Sequence, residues 1–145
     1  MYRTLRREVE NSNSGRMNTR CSRLDSGGEK YMLNKYILKN GKPVLEPDVI
    51  KWATWFETSN KSRIVAKTYL ERGDHEIEIS TVFLGLDHQF GKGPPLLYET
   101  MVFGGPDDEA QERTPTKQLA LKAHKHWVNK QLKSGAKKEK EVINK

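Results

Sequence analysis

The stretch STVFLGLDHQFGKGPPLLYETMVFGGP, residues 80–106, constrains this chain most. Two strongly apolar, β-branched and aromatic runs flank a segment with three glycines and two prolines. Such runs have the length and composition of strands, and the Gly/Pro segment cannot continue either one. Before it, HEIEISTVFLGL alternates Glu76, Glu78 and Ser80 with Ile77, Ile79 and Thr81, the pattern of a half-buried strand. After Thr81 the alternation fails, because Val82, Phe83 and Leu84 are all apolar. That end is expected to be covered on both faces or to meet another subunit.

Around this hairpin the other elements follow. RIVAKTYL (63–70) precedes a turn at Arg72-Gly73-Asp74 and supplies a third strand. Asn40-Gly41 marks a turn, so 33–45 forms a short N-terminal hairpin or an extended lead-in. Pro47 and Asp48 open a helix on which Val49, Trp52, Ala53 and Phe56 share a face, ending near Ser59-Asn60. Thr114-Pro115 opens a second helix, whose Leu119, Ala120, Leu121, Ala123, Trp127, Val128 and Leu132 form a broad apolar face. The expectation is an α+β domain of order α-β-β-β-α. It has a three-stranded antiparallel meander, with or without the N-terminal hairpin, and both helices on one face.

Domain limits follow from composition. Residues 1–31 lack periodicity and large apolar groups and are expected to be disordered. A second reading makes them a translated leader: Gly27-Gly28-Glu29 can be encoded by a purine-rich, ribosome-binding type of stretch just before Met32. The codons decide between the two. The domain is placed at 32–133, and 134–145 is expected to be a basic flexible tail.

At 145 residues, 34% hydrophobic and 31% charged, the chain supports one small domain. Its charge of +7 is unevenly spread. Lys/Arg number seven against four Asp/Glu in 1–31, ten against thirteen in 32–115, and nine against two in 116–145. Attraction to nucleic acid would therefore act through the C-terminal end, by Lys117, Lys122, Lys125, Lys130, Lys133, Lys137 and Lys138. Double-stranded RNA-binding domains share the α-β-β-β-α order, but the acidic DDEAQE before the last helix argues against that family. The single Cys21 builds neither a disulfide framework nor a zinc cluster, and no run is long enough to span a bilayer. A soluble cytoplasmic protein without membrane partners or cofactor is expected.

Four residues are candidates for chemistry. Asp87 and His88 lie in the loop and Glu99 inside an apolar strand, and two carboxylates with an imidazole suit a divalent metal or acid–base work. Loop shaping by Asp87 is the plainer reading. Glu99, if buried, needs a partner such as Lys67, Arg63 or a histidine. His124 falls on the apolar helix face, where a core histidine bonded within the fold outweighs a catalytic one. Trp55 leaves the main face of its helix and is a candidate interface anchor. No catalytic or metal set is assigned from these residues.

Taken whole, the 80–106 segment resembles a family of small phage and prophage proteins. In that family a [ST]TVFLGLDHxFGxGPPLL-[FYW]-ETMVFGG-type segment follows a Trp-containing helix and precedes a helix with a histidine. The match runs from about Lys35 to Val128 through KYILKNGKPV, EPDVIKWATWFE and ALKAHKHWV. The resemblance brings no activity with it. It implies an accessory protein acting in the host cytoplasm, and by motif position it points to Asp87, His88, Glu99 and His124. The leading expectation is a non-enzymatic module that binds a host or phage protein and self-associates. Weak nucleic-acid binding is the alternative, and a metal-dependent or His/Asp hydrolase the second alternative.

Overall fold

The computed structural model of the chain describes residues 33–144. The expectations for 1–31, Cys21 and a start at Met32 lie outside the described residues.

A two-residue turn opens the fold. Asn40 and Gly41 both take positive φ (52° and 75°), the conformation that joins two strands without splaying them. They link β1 (Tyr36–Lys39) to β2 (Lys42–Leu45), so the hairpin option holds. Helix α1 (Val49–Thr58) follows, its first amides capped by Asp48 Oδ1, which accepts from Ile50 N at 2.9 Å and Lys51 N at 3.2 Å. The expected meander is then present as β3 (Ile64–Arg72), β4 (His75–Phe83) and β5 (Tyr98–Phe103). It ends sharply at Gly104. With φ 87°, a side chain there would run into the Glu76 carbonyl.

Two strands were not expected. β6 (Gln111–Thr114) pairs with β5, and β7 (Lys137–Ile143) pairs with β3, giving a five-stranded antiparallel sheet of order β6-β5-β4-β3-β7. The fold is therefore α+β with a wider sheet than three strands and a separate two-stranded hairpin. The basic flexible tail is corrected accordingly: 137–143 is an edge strand. The physical reason is that a ladder bonds main chain to main chain. KKEKEVI can pair with β3 without an apolar face of its own, and charge on an edge strand discourages further pairing.

Helix α2 (Lys117–Lys133) lies across one face of the sheet and carries the chain from one edge strand to the other. It buries Ala120, Ala123, His124, Val128 and Gln131, residues recurring at the three- and four-residue steps that define one helix face. Cross-strand partners share a face, so this side of the sheet carries Leu70, Thr68, Ile77, Ile79, Thr81, Phe83, Tyr98, Thr100 and Val102. These divide into two apolar clusters. One joins Leu70, Ile77, Ile79, Val102, Val128 and Ala136, and the other joins Val65, Phe83, Leu97, Tyr98 and Ala120. Truncating a fully buried member such as Ile79 to alanine costs about 2–5 kcal/mol. Between the clusters runs a belt of hydroxyls, Thr68, Thr81 and Thr100, with His124 set against it.

The apolar residues at 82–86 and 96–103 serve both faces of the sheet. Val82, Phe83, Leu97, Tyr98, Val102 and Phe103 are all buried; Phe83, Tyr98 and Val102 share the α2 face, whereas Val82 and Phe103 lie on the opposite face beside Glu99 and Glu78. Gly85 joins this sheet end to the N-terminal elements, its carbonyl accepting from both Tyr36 N (2.8 Å) and Trp52 Nε1 (2.9 Å).

Candidate functional site

Asp87 shapes the loop between β4 and β5. Its Oδ1 accepts from Gln89 N at 2.7 Å and from Leu96 N at 3.1 Å, which closes the segment on itself. His88 contributes its ring to the same closure, with Nδ1 2.9 Å from the Leu86 carbonyl. A carbonyl only accepts, so the proton sits on Nδ1 and Nε2 keeps a lone pair. Burial lowers the His88 pKa below the ordinary histidine value. The Leu86 hydrogen bond opposes this, Arg113 lowers it further, and Glu99 and Asp87 raise it.

Glu99 lies on the sheet face opposite α2, along with Lys67, Glu78, Ser80, Met101 and Arg113. Its Oε2 receives Arg113 Nε at 2.8 Å, and Glu99 itself is 4% exposed. The expected partners were Lys67, Arg63 or a histidine. Its ion-pair partner here is instead Arg113, the cross-strand residue of β6, a strand not expected from the sequence. Lys67 pairs with Glu78 at 3.5 Å.

His124 is in the core, as the plainer reading had it. Its Nε2 lies 2.8 Å from Thr68 Oγ1, and its Nδ1 lies 2.8 Å from Thr81 Oγ1. Thr68 donates its single hydroxyl proton to Glu141 Oε1 at 3.2 Å, so it must accept from His124 Nε2–H. Nδ1 then carries no proton and accepts from Thr81, and Thr81 accepts from Thr100 at 2.7 Å. The chain of bonds runs in one direction and needs a neutral ring. Burial pushes the His124 pKa down to about 4, with Glu141 raising it and Lys138 lowering it.

The four candidates therefore do not form one site. Asp87 and His88 belong to the loop, Glu99 is close enough for its charge to act on the His88 ring, and His124 is across the sheet from Glu99. Asp87 is engaged by backbone amides and Glu99 by a guanidinium, which leaves no nucleophile–base pair. Among the described residues, no three His, Cys, Asp or Glu are grouped as metal ligands. The convergence that a hydrolase at these residues requires is not present.

The seven lysines also separate. Lys130 pairs with Asp107 at 2.9 Å and lies over the Trp127 ring, Lys138 pairs with Glu141 at 3.3 Å, and Lys137 is opposite Glu71 in the β7–β3 register. Lys117 begins α2 and lines a cavity. Lys122, Lys125 and Lys133 remain exposed on the outer face of α2 together with His126. The helix holds five lysines and no carboxylate in its 17 residues.

Trp55 turns inward. Its ring meets Phe83 edge-on at 5.9 Å and packs against the second cluster. The exposed apolar groups of this region are its neighbours: Val44 at 36%, Leu45 at 52%, Val49 at 51% and Ile50 at 74% exposure. α1 has no buried residue, because only its second turn reaches the sheet end, through Trp52, Trp55 and Phe56. Sequence spacing had placed Val49 on the inner face. The one signal for the patch is the density of apolar residues in PVLEPDVI, which a hairpin strand and a helix start do not by themselves require. No family model, curated protein or solved structure matches the chain.

Proposed function

We propose that this protein is a non-enzymatic binding module that makes protein–protein contacts, self-association included, through the β2–α1 surface. The observation that carries it is the exposure of Val44, Leu45, Val49 and Ile50 within seven consecutive residues. Clustered apolar exposure of this kind marks interaction surfaces, whereas singly scattered apolar groups need no explanation. β2 has one edge without a strand partner among the described residues, but it contains Pro43, which lacks a donor. Contact through side chains of β2 and α1 is therefore favoured over strand addition.

No helix of the described residues is long and apolar enough to cross a membrane. With the motif resemblance, this fits an accessory protein of phage type in a host cytoplasm, acting on a host or phage protein. Sedimentation of the protein over a concentration series tests the reading. Wild type is expected to associate, and Ile50→Glu to remain monomeric.

A second reading rests on the carboxylate-free outer face of α2. Lys122, Lys125 and Lys133 would neutralise phosphates, giving weak binding with little sequence preference. Three contacts predict a slope of log affinity against log salt of about −3 on duplex DNA. A slope near zero, or no binding at low salt, removes this reading.

A further inference from the structure

A cavity of about 270 Å³ opens where the β1–β2 turn, the chain before β3, the start of α2 and the end of β7 come together. Its lining includes Leu38, Ser62, Ile64, Val65, Tyr98 and Lys117, with Asn144 at one side. The volume is at the small end for ligand pockets, which run from roughly 300 Å³ upward. Among the described residues that line it none is acidic, and the formal charge there is that of Lys117.

Tyr98 is the informative residue. It is 2% exposed, packed edge-on to Phe83 at 5.3 Å, and still reaches the cavity wall. Its ring is buried, but its hydroxyl bonds to no protein group among the described residues and keeps some accessible surface, so it is free to donate to a molecule beside it. Burial raises its pKa above 10, so the hydroxyl stays a protonated donor.

The neighbouring groups have known hydrogen-bond states. Ser62 Oγ donates to Ser59 O at 3.0 Å and keeps only its lone pairs. Asn144 Nδ2 donates to Ile64 O at 2.6 Å and Lys61 O at 3.3 Å, leaving Oδ1 as an acceptor. At the start of α2 the Thr116 hydroxyl takes the Leu119 amide, so the amides of Lys117 and Gln118 are left without an acceptor in the helix. Unbonded amides, a helix N-terminus, an ammonium and a lone phenol donor all favour negative charge. Leu38, Ile64 and Val65 supply an apolar wall beside them.

We propose that this cavity binds a small organic carboxylate. Its charged end is held by Lys117, the Tyr98 hydroxyl and the first amides of α2, and its apolar body lies against Leu38, Ile64 and Val65. The site is independent of the β2–α1 surface, so either proposal can fail alone.

Amide NMR titration of the full chain tests it, with hexanoate, hexanamide and inorganic phosphate as probes. Hexanoate is expected to give saturable shifts at Lys117, Gln118, Ile64 and Asn144. Hexanamide and phosphate should each bind about tenfold more weakly, one lacking the charge and the other the apolar body. Lys117→Met and Tyr98→Phe should each weaken hexanoate about tenfold. Tyr98→Phe keeps the ring and its packing, and an unchanged melting temperature separates lost binding from lost fold. Absence of saturable shifts, shifts centred elsewhere, equal binding of the amide, or phosphate binding as well as hexanoate would each overturn the proposal. So would full hexanoate affinity in both variants.

Discussion

Thr68 stands 2.8 Å from His124 Nε2 and decides which nitrogen of that ring carries the proton. It can do so because its own proton goes to Glu141 on the last strand. Helix α2, inner strand β3 and edge strand β7 are thereby joined through one neutral imidazole, 3% exposed, between two apolar clusters.

Acid should weaken the fold through this ring. Between pH 6.5 and about 4, an unfolded chain takes up a proton that folded His124 refuses. The unfolded state then binds more protons, so stability is full above pH 6.5 and falls with pH by about 1.4 kcal/mol per unit, or about 3 kcal/mol in all. Below pH 4 this ring adds no further loss. The charges facing it are Glu141 and Lys138, both on β7, and the lowered His88 value acts in the same direction. Urea midpoints across this range should show the decline, and His124→Gln should remove most of it.

Deleting 136–145 should be costly, unlike the loss of a tail. It strips β3 of its outer partner, removes buried Ala136 from the first cluster and takes Glu141 from Thr68. The truncated chain is expected to lose several kcal/mol in urea unfolding or to aggregate through the bared β3 edge. An unchanged midpoint would mean that β7 contributes nothing.

Arg113→Ala should destabilise by about 2 kcal/mol, because it leaves Glu99 in a buried position without its guanidinium. The figure stays below the 3–5 kcal/mol typical of fully buried pairs, since the Arg113 side chain is 28% exposed. Glu99→Gln should cost less. A difference in urea midpoint between the two variants measures this asymmetry.

Gly104→Ala should cost about 1–3 kcal/mol by the same measurement. The residue combines φ 87° with a methyl position occupied by the Glu76 carbonyl. A neutral result would mean that the β5 end can move away from β4.

Legibility in the sequence followed the side chains' part in each element. Asn40-Gly41, the apolar runs of β4 and β5, and the alanine-rich face of α2 announce themselves, since side chains decide those structures. β6 and β7 could not be found this way. QERT and KKEKEVI sit on edges, bonded by main chain, and apart from Arg113 and Glu141 their charged groups are in water. Missing β6 hid Arg113 as the partner of Glu99, and missing β7 hid Glu141 at the end of the His124 chain. His124 itself was legible as a core histidine from its place on the helix face. Val49 was expected on the inner face because it fits the helical period of Trp52, Ala53 and Phe56, yet it is 51% exposed.

The central claim, association through β2 and α1, is tested most directly by sedimentation equilibrium of wild type and Ile50→Glu over a wide concentration range. Ile50 is 74% exposed, so the substitution should leave the fold and its melting temperature unchanged. The prediction is a mass that rises with concentration for wild type and stays at one chain for the variant. A wild type that remains monomeric throughout, or a variant that associates equally well, would contradict it.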